Sequence, residues 1–403
     1  CRIQHHRVMT SPAPLAGLRI LDVSSVLSGP LTTMLLADLG AEVIKVEPPM
    51  SPDFTRGTGA VRNEMTGYFY NTNRGKRAIA IDGRHHLGRK ILQQLADQSD
   101  VIVQNMRPGK ASGIGLDPDE CMKRNASLIY ASISGYGGDG PMAGEPVYDY
   151  VIQAVTGMVD AQRDPVTDVL DLTRHFPADK ITAHATVEAI LAALFARERD
   201  PERRGQHVEV SMHEANLAFM WPDAMMQYSI VEEPDDLDLY PAEYYRVYPT
   251  IDGAIVVMPL MTPPHGICHA IGRTDLVAAG RFTILDNQNL HEFQDIIAEQ
   301  VATWTTEHAL RTFRDHDVPV GPVIPREELH LHDQAIARSS IPTHADAPTG
   351  PIRSPRPAWR MSRTPELINE GAPLFGEHTE KVLTELGYDS TQIAQLREQG
   401  VVA

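Results

Sequence analysis

Glycines at the end of a predicted strand form the first candidate site for chemistry in this sequence. In the stretch SISGYGGDGP, Gly135, Gly137 and Gly140 have the G-x-G-x-x-G spacing of a dinucleotide-binding turn. That motif binds a pyrophosphate only where it opens a helix, whose N-terminal N–H groups hold the phosphates. Two prolines follow the glycines here, and no helical period begins until about Tyr148. The sequence therefore predicts an extended loop and not a dinucleotide-binding turn.

Asp179 is the carboxylate with the most informative position. It lies just before a long predicted helix at about 181–198, and Thr182 follows three residues later. One interpretation is an N-cap, whose side chain accepts a hydrogen bond from a free helical N–H. The other is a nucleophile, because a helix N-terminus favours the ionised carboxylate that attacks. Spacing alone leaves both interpretations open.

Basic side chains are grouped around two other predicted strands. Arg74 and Lys76 directly precede one strand, with Arg77 beside them, and Asn105 and Arg107 follow another. Guanidinium and ammonium groups bind phosphate oxygens well, so both groups are candidates for phosphate contacts. A solvated surface cluster explains the same pattern, and the residues alone do not separate the two interpretations.

Several common catalytic motifs are absent from the sequence. It contains no H-E-x-x-H, no paired C-x-x-C, no phosphate-binding G-x-x-x-x-G-K-[ST] loop and no G-x-S-x-G turn. His265, Cys268 and His269 share helical spacing, but no further ligand accompanies them, so a packed helix is predicted. The sequence predicts no metal site.

Alternation of strands and helices must position these candidates. Six apolar segments predict strands, and most are separated by helical segments; the strands are 18–24, 41–47, 77–82, 100–106, 128–134 and 207–212. This alternation predicts an α/β fold with a Rossmann-like parallel sheet flanked by helices. Ligands of such sheets bind beyond the carboxyl ends of the strands, where the glycine, asparagine and arginine candidates lie.

The pattern changes after about residue 230. A hairpin is predicted around Asp252 and Gly253, and helical stretches follow it. We therefore predict that residues 10–228 form the N-terminal part of a large domain and that residues 229–328 form a smaller α+β domain. Residues 329–403 are predicted to be a linker and a C-terminal segment that returns to the large domain.

Composition limits the class of partner. The chain has 403 residues and a formal net charge of −17, so nucleic acid and anionic membranes are poor partners. No apolar run reaches the ~18 residues of a membrane span, and the first residues lack a signal-peptide pattern. Only three cysteines are present, which fits a reducing compartment, and we expect a cytoplasmic protein.

Long stretches of the sequence resemble class III CoA-transferases, the superfamily of formyl-CoA transferase, carnitine dehydratase and α-methylacyl-CoA racemase. The resemblance covers nearly the whole chain after residue 13. It rests on segments in the family's order, among them PLAGLRILDVSSVLSGPLTTMLLADLGAEVIKVEPP, LIYASISGYGGDGP, ILAALFARE, RGQHVEVSMHEA and GEHTEKVLTELGY.

The resemblance implies a fold, an activity and a set of site residues. It implies an interlinked, ring-like homodimer that takes acyl-CoA as substrate and binds no tight cofactor. Asp179 falls at the position of the family's nucleophile, and the backbone N–H groups of Gly137 and Gly138 are expected to stabilise oxyanions. The CoA contacts implied by the resemblance are Ser25, Val26, Ile81, Arg84 and Asn105.

Two departures from the family pattern affect the expected phosphate contacts. Pro48 and Gly113 stand where the family often has basic residues, so Arg74, Lys76 and Arg107 are expected to supply the positive charge.

The resemblance also leaves an alternative activity. Racemases of the superfamily use the same aspartate with a histidine, whose position is held here by Tyr148. Tyrosine, with a pKa near 10, is a poor base at neutral pH, so CoA transfer is favoured. An acyl-CoA racemase or isomerase is the alternative, with His175 or His184 as a displaced base.

Overall fold

The computed structural model describes residues 12–164, 167–231, 245–259, 264–282, 289–345, 347, 349–364 and 371–403. The described chain divides into two compact units. The first falls within Cys1–Thr156, Thr173–Phe219 and Ala337–Ala403, and the second within Gly157–Leu172 and Met220–Ile336. The predicted ranges 10–228, 229–328 and 329–403 stay a prediction of domain boundaries; residues 10 and 11 lie outside the described residues.

Strands and helices alternate through the first half of the chain. The described elements there are β1 Arg19–Asp22, α1 Ser28–Asp38, β2 Glu42–Glu47, β3 Val61–Arg62, β4 Met65–Thr66, α2 Gly67–Asn73, β5 Lys76–Ala80, α3 His86–Asp97, β6 Val101–Gln104, α4 Pro118–Arg124, β7 Ile129–Ser134, α5 Asp149–Val155, α6 Met158–Ala161, α7 Pro177–Arg199, β8 Gln206–Ser211 and α8 Met212–Met220.

Shorter strands and more helices make up the remainder. The described elements there are β9 Val247–Pro249, β10 Ala254–Val257, α9 Pro264–Ala270, α10 Thr274–Ala278, α11 Leu290–Val301, α12 Thr306–Asp315, β11 Val320–Pro322, α13 Asp333–Ala337, β12 Thr343–His344, β13 Ile352–Arg353, α14 Thr379–Glu385 and α15 Ser390–Glu398.

The central sheet of the first unit has the strand order β5-β2-β1-β6-β7-β8, and each neighbouring pair is parallel. Counted in chain order, this is the 3-2-1-4-5-6 arrangement of doubly wound α/β proteins. The sequence prediction of a Rossmann-like parallel sheet is confirmed. The strand order reverses between β1 and β6, so the crevice for a ligand lies beyond the carboxyl ends of these two strands.

Helices cover both faces of this sheet. Successive strand residues point to opposite faces, so Ile20 and Val101 pack with α1 and α7, whereas Leu21 and Ile102 pack with α3. The C-terminal helices α14 and α15 add their apolar residues to the same cluster as α3. Burial on both faces explains why the strands are nearly continuous apolar runs.

The second unit contains its own sheet and core. Strands β9, β10 and β11 pair antiparallel in the order β11-β10-β9. The turn around Asp252 and Gly253 joins β9 to β10. The predicted hairpin is confirmed. Tyr248, Phe293 and Phe313 are fully buried in the core of this unit, together with Cys268 of the H-G-I-C-H stretch.

The glycine-rich stretch forms the long loop that its sequence predicts. Strand β7 ends at Ser134, and α5 begins only at Asp149. Gly137 and Gly140 have φ angles of 98° and 83°, a left-handed conformation that glycine adopts without steric cost. The glycines therefore turn a loop and do not open a helix. No helix among the described residues is long and apolar enough to cross a membrane.

Candidate active site

Two strand ends meet at the crevice where the sheet order reverses. Ser25 follows β1 and Asn105 follows β6, and the two residues bond reciprocally. The Ser25 N–H donates to Asn105 Oδ1 at 2.9 Å, and Asn105 Nδ2 donates to the Ser25 carbonyl at 2.7 Å. The structure thus brings together two of the predicted CoA-contacting residues. Their hydrogen bonds fix the two loops that form the base of a cleft.

Val26, the next residue, has a backbone conformation that is unfavourable for its type. Its φ angle is 72°, in the left-handed region that β-branched residues rarely adopt. Its N–H donates to Asp53 Oδ2 at 3.1 Å, and the same oxygen accepts a hydrogen bond from Lys45 Nζ at 3.2 Å. Both charged side chains are buried. A buried ion pair therefore holds the strained turn that leads from β1 into α1.

The backbone of Asp179 lies in the first turn of α7, which begins at Pro177, four residues earlier than predicted. Proline is well suited to this first position because its missing N–H is not needed there. The N-cap residue is Phe176, which provides no side-chain cap. The N-cap interpretation of Asp179 is therefore wrong. Instead, Asp149 Oδ2 accepts the hydrogen bond of the Asp179 N–H at 2.9 Å.

The side chain of Asp179 meets the N-terminus of α1. The hydroxyl and the N–H of Ser28 face this carboxylate. Burial, followed by the nearby charge of Asp149, raises the pKa of Asp179 to about 6, while the polar groups of Ser28 act in the opposite direction. At neutral pH the carboxylate is mostly ionised, yet it is a stronger base than an exposed aspartate.

Asp179 lines a cleft of about 220 Å³ within the first unit. Predicted site residues that also line this cleft are Ser25, Val26, Asn105, Arg107 and Tyr148. Arg107 is exposed, and Tyr148, just before α5, has 69% of its surface exposed. The structure therefore gathers six sequence-predicted residues from four separate segments around one opening, with a carboxylate and a guanidinium in its walls.

The Gly137 N–H does not fit the predicted role of oxyanion donor in this structure, and for Gly138 that role stays a prediction. The Gly137 N–H already donates to Ser134 Oγ at 3.0 Å. Neither glycine lines the cleft, whereas Gly135 does. The same loop lines the cleft again between Ala143 and Tyr148, and the polar groups that face the Asp179 carboxylate belong to Ser28.

Arg74 and Lys76 are in the interior, contrary to the predicted phosphate contact. Lys76 Nζ donates to Asp22 Oδ2 at 2.9 Å and to the Pro30 carbonyl at 2.8 Å, and Arg74 bonds to Asp38 at 2.6 Å. Both cations are buried. Because their charges are already paired with the buried carboxylates of Asp38 and Asp22, they are unable to reach a CoA phosphate here.

Ile81 and Arg84 also lie outside the cleft lining. Ile81 is 1% exposed and packs in the core beside Val402, so its side chain is not available to CoA; that predicted contact does not fit the structure. Arg84 is exposed and its N–H donates to Asp82 Oδ1 at 2.9 Å. A CoA contact by Arg84 stays a prediction.

The predicted alternative bases lie near Asp179 in sequence. His175 Nδ1 bonds to Lys180 Nζ at 3.0 Å, and burial is the main reason why its pKa is lowered. His184 is exposed on α7. Neither histidine lines the cleft.

Two residues of the site were missed by the sequence analysis, namely Ser28 and Asp149. Ser28 begins a Ser-Gly-Pro stretch four residues after the predicted strand 18–24, and this stretch is itself a helix-start signal. Asp149 opens the helix after the glycine loop. Neither signal identifies a partner for Asp179, because that contact joins segments 30 or more residues apart.

Comparisons with known proteins agree with this fold. Residues 15–379 match the model of CoA-transferase family III. The succinate–glutarate CoA-transferase of Agrobacterium fabrum is 31% identical, with 93% of this chain and 96% of that protein covered. The human succinyl-CoA:glutarate CoA-transferase is also 31% identical, with 98% and 91% covered. A CAIB/BAIF family protein from Brucella suis has a similar structure, with a TM-score of 0.80, 27% identity, and 93% and 100% covered.

The fold and the site define a doubly wound α/β enzyme with an acidic group at its switch point. The family match covers most of the chain, and the chain belongs to CoA-transferase family III. It is an enzyme of the CoA-transferase class.

Proposed function

We propose that this enzyme transfers CoA from an acyl-CoA thioester to a carboxylate acceptor through a covalent intermediate on Asp179. The observation that carries the proposal is the Asp179 carboxylate itself, which lines the cleft at the sheet's switch point and has a pKa raised to about 6. Such a group is ionised at neutral pH and more basic than an exposed aspartate, as a carboxylate nucleophile needs to be.

The first half of the reaction forms and breaks one bond at each step. An Asp179 oxygen attacks the thioester carbonyl, the carbon–sulfur bond breaks, and CoA leaves as a thiolate while the acyl group and Asp179 form a mixed anhydride. The thiolate then attacks the Asp179 carbonyl, which releases the donor acid as a carboxylate and leaves an aspartyl-CoA thioester. Ser28 faces the Asp179 carboxylate and favours its ionised, attacking form.

The second half repeats these steps with the acceptor. Its carboxylate attacks the aspartyl thioester and expels the CoA thiolate, which then attacks the acceptor carbonyl of the new anhydride. The products are acceptor-CoA and free Asp179, so atoms and charge balance without an outside reagent. Two relatives carry succinate or succinyl-CoA and glutarate in their names; we propose this pair as the first donor and acceptor to test.

We also propose the family's interlinked homodimer, from the sequence resemblance, and a cytoplasmic location, from the low cysteine count. The molar mass in solution, measured by light scattering, tests the dimer.

Trapping of the intermediate tests the covalent step. Wild-type protein incubated with succinyl-CoA and hydroxylamine is expected to carry a hydroxamate on Asp179, found by peptide mass spectrometry, because anhydrides and thioesters both react with hydroxylamine. A panel of other acyl-CoA and carboxylate pairs extends the test if succinyl-CoA is not a donor. Asp179→Ala is the control. A folded Asp179→Ala variant with wild-type turnover, or an adduct on another residue, would refute the proposed nucleophile.

A further inference from the structure

The carboxylate of Asp149 lies beside the nucleophile but faces inward. Asp149 is 2% exposed, at the start of α5. Its Oδ2 accepts from the Asp179 N–H at 2.9 Å, and its Oδ1 accepts from Gln153 Nε2 at 2.6 Å. Both oxygens are therefore engaged by donors, so Asp149 is not placed to attack a substrate.

Gln153 extends the same contact to the segment that leads into α7. Its Nε2 also donates to the carbonyls of Thr173 and His175, at 3.3 and 3.4 Å, while its Oε1 accepts from the Thr173 N–H at 3.0 Å. Gln153 is fully buried. Asp149 and Gln153 together hold the backbone from residue 173 to Asp179 against α5.

We infer that Asp149 is a positioning residue for Asp179: it fixes the first turn of α7 and supplies a like charge beside the reactive carboxylate. The helix start needs such a partner because Phe176 provides no cap, and an unpaired helical N–H in a buried turn is unfavourable. The mechanistic meaning of this inference rests on the proposed function, in which Asp179 is the nucleophile.

The groups around Asp179 explain why the charge of Asp149 has a large effect. Ser28 faces Asp179 from α1 and Tyr68 faces it from α2; neither is charged at neutral pH, since burial and the nearby carboxylates raise the pKa of Tyr68 further. Lys180, next to Asp179 on α7, bonds to His175. Among the described residues no cation bonds to Asp149, and its like charge adds to burial in raising the pKa of Asp179.

This arrangement suits a nucleophile that works near neutral pH. A carboxylate attacks better as its basicity rises, provided that it is still ionised at the working pH. A pKa near 6 satisfies both conditions. Asp149 thus orients Asp179 through one hydrogen bond and tunes its reactivity through space, without touching the substrate.

A substrate-free titration tests the inference. In protein labelled with ¹³C at the aspartate Cγ, the resonance that is missing from Asp179→Asn belongs to Asp179. We expect its titration midpoint near pH 6 in the wild type. In Asp149→Asn the midpoint should fall by at least about half a pH unit, because the like charge is gone.

Gln153→Met is the matched control, since it removes the neighbouring hydrogen bonds but keeps the charge of Asp149. Its Asp179 midpoint should stay near the wild-type value although the variant is less stable. Asp149→Ser, which can still bond to the Asp179 N–H, replaces Asp149→Asn if the latter does not fold. An unchanged midpoint in the folded Asp149 variant, or an equal shift in Gln153→Met, would overturn the inference.

The titration is independent of turnover, so its failure is distinguishable from failure of the proposed function. With a donor and acceptor that the enzyme uses, the acid limb of kcat/KM should move to lower pH in Asp149→Asn and stay in place in Gln153→Met. A limb that does not move while the titration midpoint does would refute the role of this charge in catalysis.

Discussion

The N–H of Val26 and the carboxylate of Asp53 are joined by a hydrogen bond of 3.1 Å that spans 27 residues of sequence. Val26 has a positive φ angle, and a non-glycine residue in such a conformation costs about 1–3 kcal/mol. The turn persists because Asp53 is itself anchored by Lys45 and by the Thr55 N–H and hydroxyl. Two residues beyond this turn, Ser28 faces Asp179.

Asp53→Asn is therefore expected to lower kcat far more than it changes KM. The variant removes the charge that pairs with Lys45, so the turn relaxes and Ser28 no longer orients Asp179. Asp38→Asn is the matched control, because it also breaks a buried ion pair, with Arg74, at the other end of α1. Both should lower the melting temperature, but only Asp53→Asn should lose turnover in the folded fraction. Equal loss of turnover would contradict the positioning of Ser28 through this turn.

Lys76→Met should lower the free energy of unfolding without lowering the affinity for CoA. The substitution leaves Asp22 buried without its cation, and such a loss costs about 3–5 kcal/mol in the free energy of unfolding. Arg77→Met is the comparison, since Arg77 bonds to Glu42 and Glu385 at the surface and a surface pair contributes about 1 kcal/mol or less. Urea unfolding gives both values. A stable Lys76→Met variant with weak CoA binding would restore the phosphate-contact interpretation.

Arg107 is expected to bind a negatively charged part of the substrate. It is exposed and lines the cleft. Arg107→Ala should weaken acyl-CoA binding about ten-fold or more, since hydrogen bonds to charged groups contribute ~1.5–3 kcal/mol. The loss should be largest at low ionic strength, where screening is weakest. Arg84→Ala is the control for the loss of one positive charge, because Arg84 is exposed but does not line the cleft. Calorimetric affinities that fall equally in both variants would argue against a specific contact.

Ionisation of Asp179 should destabilise the fold, so its contribution to the free energy of unfolding should fall as pH rises. The pKa of Asp179 is about 6 in the folded chain and ~3.9 when unfolded. Between these values the folded state holds a proton that the unfolded state has released, so stability falls as pH rises. Relative to wild type, Asp179→Asn should gain roughly 1–3 kcal/mol between pH 4 and pH 6. No further gain is expected above about pH 7. A difference in unfolding free energy that is constant from pH 4 to pH 8 would contradict the raised pKa.

Solvent deuterium separates CoA transfer from the racemase alternative. Racemisation removes and returns the α-proton, whereas transfer acts only at the thioester carbonyl. The sequence resemblance puts Tyr148 at the position of the racemases' second proton carrier, and loss of a general acid or base typically costs about 10²–10⁴-fold in rate. A 2-methylacyl-CoA in D₂O should therefore gain little deuterium while CoA passes to a carboxylate. Fast deuteration without CoA exchange, measured by mass spectrometry, would support the racemase instead.

The parallel sheet and its ligand edge could be predicted from the sequence, whereas the order of the strands was not. Apolar runs alternate with helical segments, and the rules for parallel sheets then place Ser25, Asn105 and Arg107 at the same edge. The hairpin around Gly253 was equally visible, because its turn residues are local. The family resemblance singled out Asp179. These features depend on short-range sequence patterns or on general topology rules, and both can be applied to one sequence without a structure.

Tertiary structure alone decided which polar groups are partners. Arg74 and Lys76 look like a surface patch in the sequence, but the fold buries both against carboxylates from β1 and α1. Burial is a property of all the elements that pack around a side chain, so no local pattern reports it. For the same reason, the sequence predicted only that a long helix begins close to Asp179, whereas the packing of α5 and α1 against α7 decided that Asp149 and Ser28 are its neighbours.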